Sequence, residues 1–412
     1  MRVPERVRKS ANVLVCLVAV AGTIWGGKEI WQVLSGRHQI DEACAGLVPA
    51  GRVLALSPAG GTITHRVADE GTIQMGDLSG GQDCEIFSTG AGEKYGTSSG
   101  ERWFFTGAVG LVPGDSRVLA DDPMKELVDP SGAPTHPAQP LGGGITGLVG
   151  DSGVTVQLPC ADGESGRETV KGLWARAELA NLGRPFSEDG QLSAGDRDTL
   201  AEIAVLTANN LADRLGCTER LPDAPRNIAA LPAGPTPAAD AKGTCGWYGR
   251  AGFAKQEQFP DQVLESRTDD RLWDEQCGLL VSTGRATGLY TAGSEAGDHL
   301  VRPERPGQWF VSLHTYSGED AKNVYLTSTD GNETPEPAEP GKAGRSSEDP
   351  IWWASSVCDG APQIHTMTIA YGYDRLMTAK LAEVFRAYVD DVAHRRGCTD
   401  VTFPAASAFR AD

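Results

Sequence analysis

The longest apolar segment of the sequence lies near its N-terminus. It starts at about Val13, follows four basic residues, and keeps much of its apolar character to Leu34. This length suffices for a tilted transmembrane helix, and basic residues before it predict a cytoplasmic N-terminus. We therefore expect a cytoplasmic tail at 1–12, a signal anchor at 13–34 and an extracellular remainder. Ala19-Val20-Ala21 resembles a cleavage site, so a cleaved signal peptide is the alternative.

Beyond this segment, short apolar runs separated by Gly and Pro predict strands. The predicted strands lie at 52–56, 103–109, 154–158, 169–175, 309–315 and 365–371. A Gly content of 51 and a Pro content of 25 agree with short strands and many turns.

Two longer segments show helical periodicity instead. In the second, Asp374 is a candidate N-cap and Gly397 suits a left-handed helix end. Its apolar stripe consists of Leu381, Val384, Phe385, Tyr388, Val389 and Val392. The first helical segment runs from about Asp196 to Gly216 and shows the same pattern more loosely.

The contexts of the cysteines indicate an internal duplication. Leu-Ala-Asp-Arg-Leu-Gly-Cys217-Thr-Glu matches Val-Ala-His-Arg-Arg-Gly-Cys398-Thr-Asp, and a Trp-Phe pair follows the second cysteine of each copy. We predict an α+β protein with two tandem copies of a disulfide-stapled domain, each a mainly antiparallel sheet with a long C-terminal helix. The predicted boundaries are repeat 1 at 39–221, a Pro-rich linker at 222–243, repeat 2 at 244–404 and a tail at 405–412.

Eight cysteines lie beyond the apolar segment, an even number that fits an exported chain. If pairing stays within each copy, nine pairings are possible. Cys160 and Cys358 each follow a predicted strand, so a bridge to the cysteine after the helix would staple helix to sheet. The favoured pairs are Cys44–Cys84, Cys160–Cys217, Cys245–Cys277 and Cys358–Cys398.

The charge balance excludes one large class of partner. With 37 Lys and Arg against 55 Asp and Glu, the net charge is −18, and no basic patch is present. Such a chain repels nucleic-acid phosphates. No motif points to a cofactor, so we predict none.

Three motifs resemble catalytic or nucleotide-binding sequences, but each has the wrong context. Gly96-Thr-Ser98-Ser-Gly100 matches a nucleophile elbow but precedes a predicted strand rather than a helix. Gly150-Asp-Ser152-Gly153 resembles the serine segment of chymotrypsin-like proteases but has no matching histidine segment upstream. Gly142, Gly144 and Gly147 match the G-x-G-x-x-G motif of dinucleotide-binding folds, but they follow a Pro-rich loop and precede a predicted strand, the reverse of that fold's order. We interpret all three as turns or loops and predict no catalytic residue.

Other candidate ligand-binding residues also have structural interpretations. The seven histidines show no metal-ligand spacing and are expected on the surface or in strands: His38, His65, His136, His299, His314, His365 and His394. Asp121-Asp122 and Asp269-Asp270 are expected in solvated turns, so no metal site is predicted. Trp352-Trp353 could stack a glycan, although core packing is the main prediction.

The Cys44-Ala-Gly-Leu-Val-Pro opening, the Val-Gln-Leu-Pro-Cys160 strand and the helices ending in Gly-Cys-Thr resemble uncharacterised envelope proteins of high-GC actinobacteria, which are membrane-anchored or secreted. The resemblance covers most of the exported chain. It implies location and architecture but no activity, so no catalytic residue is transferred.

Two function classes follow. The first is a non-catalytic envelope module that binds a ligand, a polymer or a protein partner, and attaches to the membrane through its N-terminal helix. The second is an extracytoplasmic hydrolase whose site is assembled from distant residues. A shared surface or a cleft between the copies would favour binding, whereas a catalytic constellation in one copy would favour the hydrolase.

Overall fold

The computed structural model describes most of the chain from residue 29 to residue 409. The described residues are 14, 27, 29–66, 71–76, 78, 81–95, 100–112, 127–128, 136–165, 168–180, 191–296, 300, 302–305, 307–326, 336–347 and 349–409. Most of the predicted anchor at 13–34 lies outside them. Within these ranges no helix is long and apolar enough to span a membrane.

The N-terminal half, residues 29–221, contains a sheet of seven described strands. All of its strand pairs are antiparallel, in the order β1-β2-β3-β9-β6-β5-β4. The strands are β1 (Ile63–His65), β2 (Gln82–Ser88), β3 (Arg102–Val112), β4 (Gln139–Gly142), β5 (Ile145–Val149), β6 (Gly153–Pro159) and β9 (Gly172–Leu179). Between β6 and β9, the short strands β7 (Glu164–Ser165) and β8 (Glu168–Thr169) form a separate hairpin.

The C-terminal half, residues 244–409, contributes most of a second antiparallel sheet. Its order is β10-β11-β12-β13-β16-β15-β14 over the described strands, and β17 also pairs with β15. The strands are β10 (Thr236–Pro237), β11 (Gln262–Glu265), β12 (Asp274–Leu280), β13 (Phe310–Ser317), β14 (Gly344–Arg345), β15 (Ile351–Cys358), β16 (Ala361–Ile369) and β17 (Thr399–Thr402).

The two halves share a strand order around the Trp-Phe strands β3 and β13. In each half this strand lies between the strand of the second cysteine and the strand that leads to the long helix: β2-β3-β9-β6 in one and β12-β13-β16-β15 in the other. Along the chain, one helix follows β2 and another follows β12. These likenesses agree with the repeated cysteine contexts of the sequence.

Helices cover parts of both sheets. They are α1 (29–43), α2 (Ala50–Val53), α3 (Thr89–Tyr95), α4 (Ala194–Leu215), α5 (Gly246–Ala251), α6 (Thr283–Ala296), α7 (Asp374–Met377) and α8 (Leu381–Arg396). The long helix α4 packs on β6 and β9, and α8 packs on β15 and α5. As predicted, α4 and α8 both end at a left-handed glycine, Gly216 and Gly397.

The structure differs from the prediction at two element boundaries. Residues 52–56, predicted as a strand, continue from α2 into turns, because Pro49 supplies a helix start and Val53 and Leu56 are buried three residues apart. Asp374 begins the short helix α7 and does not cap α8, whose N-cap is Lys380. The apolar stripe of α8 is buried as predicted.

Each sheet has its own apolar core, but three features join the halves. Leu127 and Val128, which precede β4 in the chain, pack in the core of the second sheet. Trp174 of β9 packs against Trp273, which lies just before β12. The predicted linker at 222–243 also packs on both sides, with Leu231 in the first core and Ala238 in the second.

Four disulfides cross-link the chain. They join the four pairs favoured from the sequence, with Cα–Cα distances of 5.2, 5.2, 5.2 and 4.1 Å: Cys44–Cys84, Cys160–Cys217, Cys245–Cys277 and Cys358–Cys398. The second and fourth attach the residue after α4 or α8 to the end of a sheet strand, which is where each staple was expected.

Candidate functional site: a polar cleft between the two sheets

A cleft of about 420 Å³ lies where the two halves meet. Its N-terminal wall comes from β5, from the end of β6 and from the residues that lead into β9, including Gln157 and Lys171. Its C-terminal wall comes from the turn after β13 and the last turn of α8, together with Trp273 and the Cys358 end of β15. Each half therefore supplies one side of the cavity.

Asp320 is the most deeply buried acidic residue of the cleft wall. It lies in the short helical turn Asp320–Lys322 that follows β13, and its exposed fraction is 4%. Its Oδ2 accepts a hydrogen bond from Gln157 Nε2 at 3.1 Å, while Oδ1 is buried and has no hydrogen-bond partner among the described residues. Burial raises the pKa of this carboxyl to about 6, although the Gln157 hydrogen bond opposes the shift.

The charged groups around Asp320 come from several elements. Gln157 on β6 is hydrogen-bonded to it, Glu319 and Lys322 belong to the same turn, and Asp274 on β12 acts on it by its charge. Lys171 before β9 and Arg396 on α8 line the same cleft. Glu319 pairs with Lys322 at 2.6 Å and with Lys171 at 3.6 Å across the cleft. The Lys322 hydrogen bond holds the pKa of Glu319 below its usual value.

A pair of arginines bound to a buried carboxylate also lines the cleft. Glu275 of β12 is fully buried and accepts hydrogen bonds from both Arg395 and Arg396, the latter at 2.9 Å. Burial opposes the charge of Arg395, but the Glu275 and Asp391 carboxylates outweigh it and raise the pKa of this guanidinium. The C-terminal dipole of α8 also favours cations here.

Arg396 keeps one donor of its guanidinium free. The residue is 8% exposed and donates through NH1 to Ser317 Oγ at 2.6 Å and to Gln363 Oε1 at 3.2 Å. Its Nε is buried and has no hydrogen-bond partner in the part of the chain that the structure describes. Asp320 Oδ1 and Arg396 Nε are therefore enclosed polar atoms without a hydrogen-bond partner among the described residues, and each costs free energy in the folded state.

The rim of the cleft carries more exposed charges. Arg271 is paired with Asp269 at 3.2 Å, whereas Asp270 and Asp359 are exposed at the edge. The predicted solvated turn at Asp269-Asp270 is present, but one of its aspartates also borders the cavity.

A second polar constellation lies on one face of the second sheet. Ser312 Oγ is 3.1 Å from His314 Nε2, and His314 Nδ1 is 3.0 Å from Asp274 Oδ1. This order of groups is that of a serine-hydrolase triad. However, Ser312 is fully buried and His314 is 1% exposed, and none of the three lines the cleft. A substrate carbonyl therefore has no path to Ser312 in this conformation.

His365 occupies the other face of the same sheet. Its two ring nitrogens lie 2.9 Å from Thr315 Oγ1 and 2.9 Å from Ser356 Oγ, and its ring meets Tyr388 of α8 edge-on. Burial, helped by the charge of Arg396, lowers the pKa of His365 to about 3. It is therefore a neutral histidine in the core of the sheet.

The glycine motifs lie in turns wherever the structure describes them. Ser152 is in the β5–β6 hairpin turn and donates to Glu178 at 3.2 Å. His136 is paired with Asp151 at 2.8 Å rather than with Ser152. The glycines at 142–144 all have positive φ and form the β4–β5 turn. Ser98 lies outside the described residues.

The remaining candidates divide between the core and the surface. Trp352 and Trp353 are 3% and 7% exposed, and Trp352 stacks on Phe409 at 5.6 Å, so neither ring offers a glycan platform. His38 is exposed, whereas His65 is half-buried on β1 and His394 lies in the last turn of α8. Asp121-Asp122 and His299 lie outside the described residues.

Sequence reasoning did not single out Asp320, Arg396 or the His314 constellation. One signal was present, since polar residues alternate with apolar ones in Phe-Val-Ser312-Leu-His314-Thr-Tyr-Ser317, a strand otherwise suited to the core. The cleft itself has no local signal, because its walls come from segments that are far apart in the chain, as with Gln157 and Asp320.

Comparison of the chain with protein-family models, curated proteins and solved structures finds no match. Within the part of the chain that the structure describes, no group of three His, Cys, Asp or Glu side chains is arranged to hold a metal ion.

Proposed function

We propose that this protein is a membrane-anchored, extracytoplasmic binding protein of the cell envelope, built from two tandem repeats, whose cleft takes a small polar ligand. One observation carries the proposal of ligand binding. A cavity of about 420 Å³ between the two halves is lined by charged and polar side chains from both of them, among them Gln157 and Lys171 on one side and Asp320 and Arg396 on the other. Cavities that join two sheets and hold a few convergent polar groups are common ligand sites.

The placement outside the cell rests on two independent supports. Four disulfides suit an oxidising compartment, and the basic residues before the N-terminal apolar segment favour an outward C-terminus. Protease added to intact protoplasts should then degrade nearly the whole chain. Survival of a large fragment without detergent, and its loss after detergent is added, would refute this placement.

Ligand binding can be tested with a matched set of small molecules. The full chain in detergent micelles is titrated with a diamine, a dicarboxylate, an amino acid and a diol of the same length, each at three and five carbons. We expect at least one class to raise the melting temperature in a saturable way, because a ligand that binds only the folded state stabilises it. Ala361→Trp, which places a large ring in the cleft wall, should abolish the effect. If none of the four classes raises the melting temperature, the proposal fails.

The Ser312–His314–Asp274 constellation supports one alternative, an extracytoplasmic hydrolase. A fluorophosphonate probe, which reacts with activated serines, separates the two functions. The binding proposal expects no labelling of the folded chain, since Ser312 is fully buried. Labelling that Ser312→Ala abolishes would favour the hydrolase.

A further inference from the structure

We infer that the Cys358–Cys398 disulfide is a thiol-exchange site, at which a dithiol reductant attacks Cys398 and displaces Cys358 while the other three disulfides stay closed. This property goes beyond ligand binding and does not depend on it. It follows from the exposure of the disulfide, from the groups beside Cys358 and from the contacts that hold the surrounding chain.

Cys398 is the most exposed of the eight bonded cysteines. It is half-buried after the end of α8, whereas the other seven are buried, with exposed fractions of 6% for Cys358 and at most 3% for the rest. Cys358 also lines the cleft between the two halves. Thiol–disulfide exchange begins when an incoming thiolate contacts one of the two sulfur atoms. Among the four disulfides, this one is therefore the easiest to approach.

The matching disulfide of the first half is covered by the chain. Cys160–Cys217 also joins the end of a strand to the residue after a long helix, but the exposed fractions of its cysteines are 0% and 3%. A Cβ at Gly163 would lie 2.2 Å from Cys160 Sγ and 3.2 Å from Cys217 Sγ. The backbone at Gly163 therefore lies directly against both sulfur atoms, and this disulfide is a matched internal control.

A hydroxyl group lies beside the Cys358 sulfur. Ser356 Oγ is 3.9 Å from Cys358 Sγ and 2.9 Å from His365 Nε2. In the tautomer that carries its proton on Nε2, His365 donates to Ser356, which leaves the Ser356 hydroxyl proton for Cys358 Sγ. The sulfur that is displaced from a disulfide carries negative charge, and a hydrogen-bond donor stabilises that charge. Cys358 is therefore suited to be the displaced sulfur.

Arg396 adds positive charge near the same sulfur. It donates to Gln363 Oε1 at 3.2 Å, and Gln363 lies directly opposite Ser356 on the neighbouring strand β16. Burial and then the charge of Arg396 lower the pKa of His365, so this charge reaches the face of the sheet that carries Ser356. Cations near a cysteine favour its thiolate.

The end of α8 has the opposite effect on Cys398. This residue lies two positions after Arg396, the last residue of the helix, where the helix dipole is negative and disfavours a thiolate. Each cysteine also has one exposed aspartate near it in the chain, Asp359 after Cys358 and Asp400 after Cys398. These two charges do not distinguish the cysteines, so the thiolate is favoured on Cys358.

The exchange takes place in two steps. One thiolate of the reductant attacks Cys398 Sγ and forms a mixed disulfide with it, while Cys358 Sγ leaves with the electron pair of the broken bond and takes a proton from water. The second thiolate of the reductant then attacks the reductant's sulfur in the mixed disulfide. This closes the reductant's own disulfide and releases Cys398 as a thiolate, which is protonated in turn. The protein gains two electrons and two protons, and the dithiol loses the same number.

The chain around this disulfide is also held by other contacts. Strand β17, which follows Cys398, pairs with β15, which ends at Cys358. Arg395 and Arg396 at the end of α8 both bind Glu275 of β12. These contacts keep α8 on the sheet when the bridge is open, so the two thiols stay close together and the exchange is reversible.

The test measures how fast each disulfide opens in the folded chain. The full chain in detergent micelles is treated with iodoacetamide to block free thiols, then with dithiothreitol at pH 7.5, and the new thiols are trapped with N-ethylmaleimide and mapped to peptides. We expect Cys358 and Cys398 to be trapped at least about tenfold faster than Cys160 and Cys217. Equal rates for these two disulfides would overturn the inference.

A parallel reaction with thioredoxin distinguishes the two sources of a dithiol. Opening by dithiothreitol alone would assign the site to small thiols, whereas opening by both reagents would assign it to protein dithiols as well. If Cys358–Cys398 resists both reagents until urea unfolds the chain, the inference is wrong.

Two further measurements test which sulfur is displaced. Glutathione, which has a single thiol, should form its mixed disulfide with Cys398, and an adduct on Cys358 would overturn the assignment. Ser356→Ala removes the hydroxyl beside Cys358 and should slow the opening by about threefold to tenfold. Ser355→Ala is the matched control, because the Ser355 hydroxyl is also buried but donates to the Lys342 carbonyl, and its rate should stay within about twofold. Equal rates in the two variants would contradict the role of Ser356.

Discussion

Two buried titratable side chains of the second half give the folded state opposite responses to pH. Asp320 has a folded-state pKa above the unfolded value of 3.8, whereas the folded-state pKa of His365 lies below the unfolded value of 6.5. Between about pH 4 and pH 6 their contributions to the free energy of unfolding therefore change in opposite directions. Single variants separate the two effects.

For Asp320, the folded state holds a proton that the unfolded state releases above pH 3.8. The contribution of this residue is therefore complete below pH 3.8 and is lost as the pH rises to about 6, by about 1.4 kcal/mol per pH unit at most. We expect Asp320→Asn to be more stable than the wild type at pH 7.5 and to lose this advantage near pH 4. Urea unfolding of both chains across this range measures the difference. A constant difference would contradict the buried, unpaired state of the carboxyl.

For His365, the unfolded state binds a proton below about pH 6.5, whereas the folded state does not bind it until the pH falls to about 3. Its contribution is complete above pH 6.5 and falls as the pH drops toward 3, again by about 1.4 kcal/mol per unit at most. His365→Asn, which keeps a polar group near Thr315, should be less stable at pH 7 but lose less stability on acidification. His394→Asn, on the last turn of α8, serves as the control and should follow the wild-type slope.

At the scale of single elements, the close packing of strand β3 against Trp174 requires a glycine at position 110. A Cβ at Gly110 of β3 would lie 2.6 Å from the indole of Trp174, whereas a Cβ at Gly195 in the first turn of α4 would meet nothing within 4 Å. The Trp174 indole is 3% exposed and packs against Trp273, so it has little room to move.

We therefore expect Gly110→Ala to lower the free energy of unfolding by about 1–3 kcal/mol through overpacking. Gly195→Ala should leave it unchanged or raise it by up to about 1 kcal/mol, since alanine favours the helix. Chemical denaturation of the two variants provides the comparison. Equal effects would mean that Trp174 is not held in place.

The elements also show how far the sequence could predict the fold. Three features were predictable because each depends on residues that are close together in the sequence. They are the apolar stripe of α8, the strand beginning near Trp103 and the glycines that end the long helices. The start of α8 was not, since Asp374 begins the separate short helix α7 and α8 starts only after Lys380. The cleft was not predictable either, because Gln157 and Asp320 meet only when both sheets are complete.

At the scale of the whole molecule, the core of the second sheet includes a residue of the first half. Leu127 is 4% exposed and contacts the backbone of β12 at Gly278, where a Cβ would lie 2.9 Å from its side chain. Leu127→Ala should therefore loosen the second sheet, by about 2–5 kcal/mol. Hydrogen exchange should rise in β11, β12 and β13. Leu141→Ala, equally buried but in the first core, should instead affect β4 to β6.

The contact between Leu127 and Gly278 can form only late in chain synthesis. Gly278 follows Leu127 by 151 residues. At a synthesis rate of roughly 5–20 residues per second, Gly278 is therefore added about 8–30 seconds after Leu127. During that interval the first sheet can form with Leu127 and Val128 still exposed. A chaperone could hold these two residues until β12 emerges, and without one a second nascent chain could bind them.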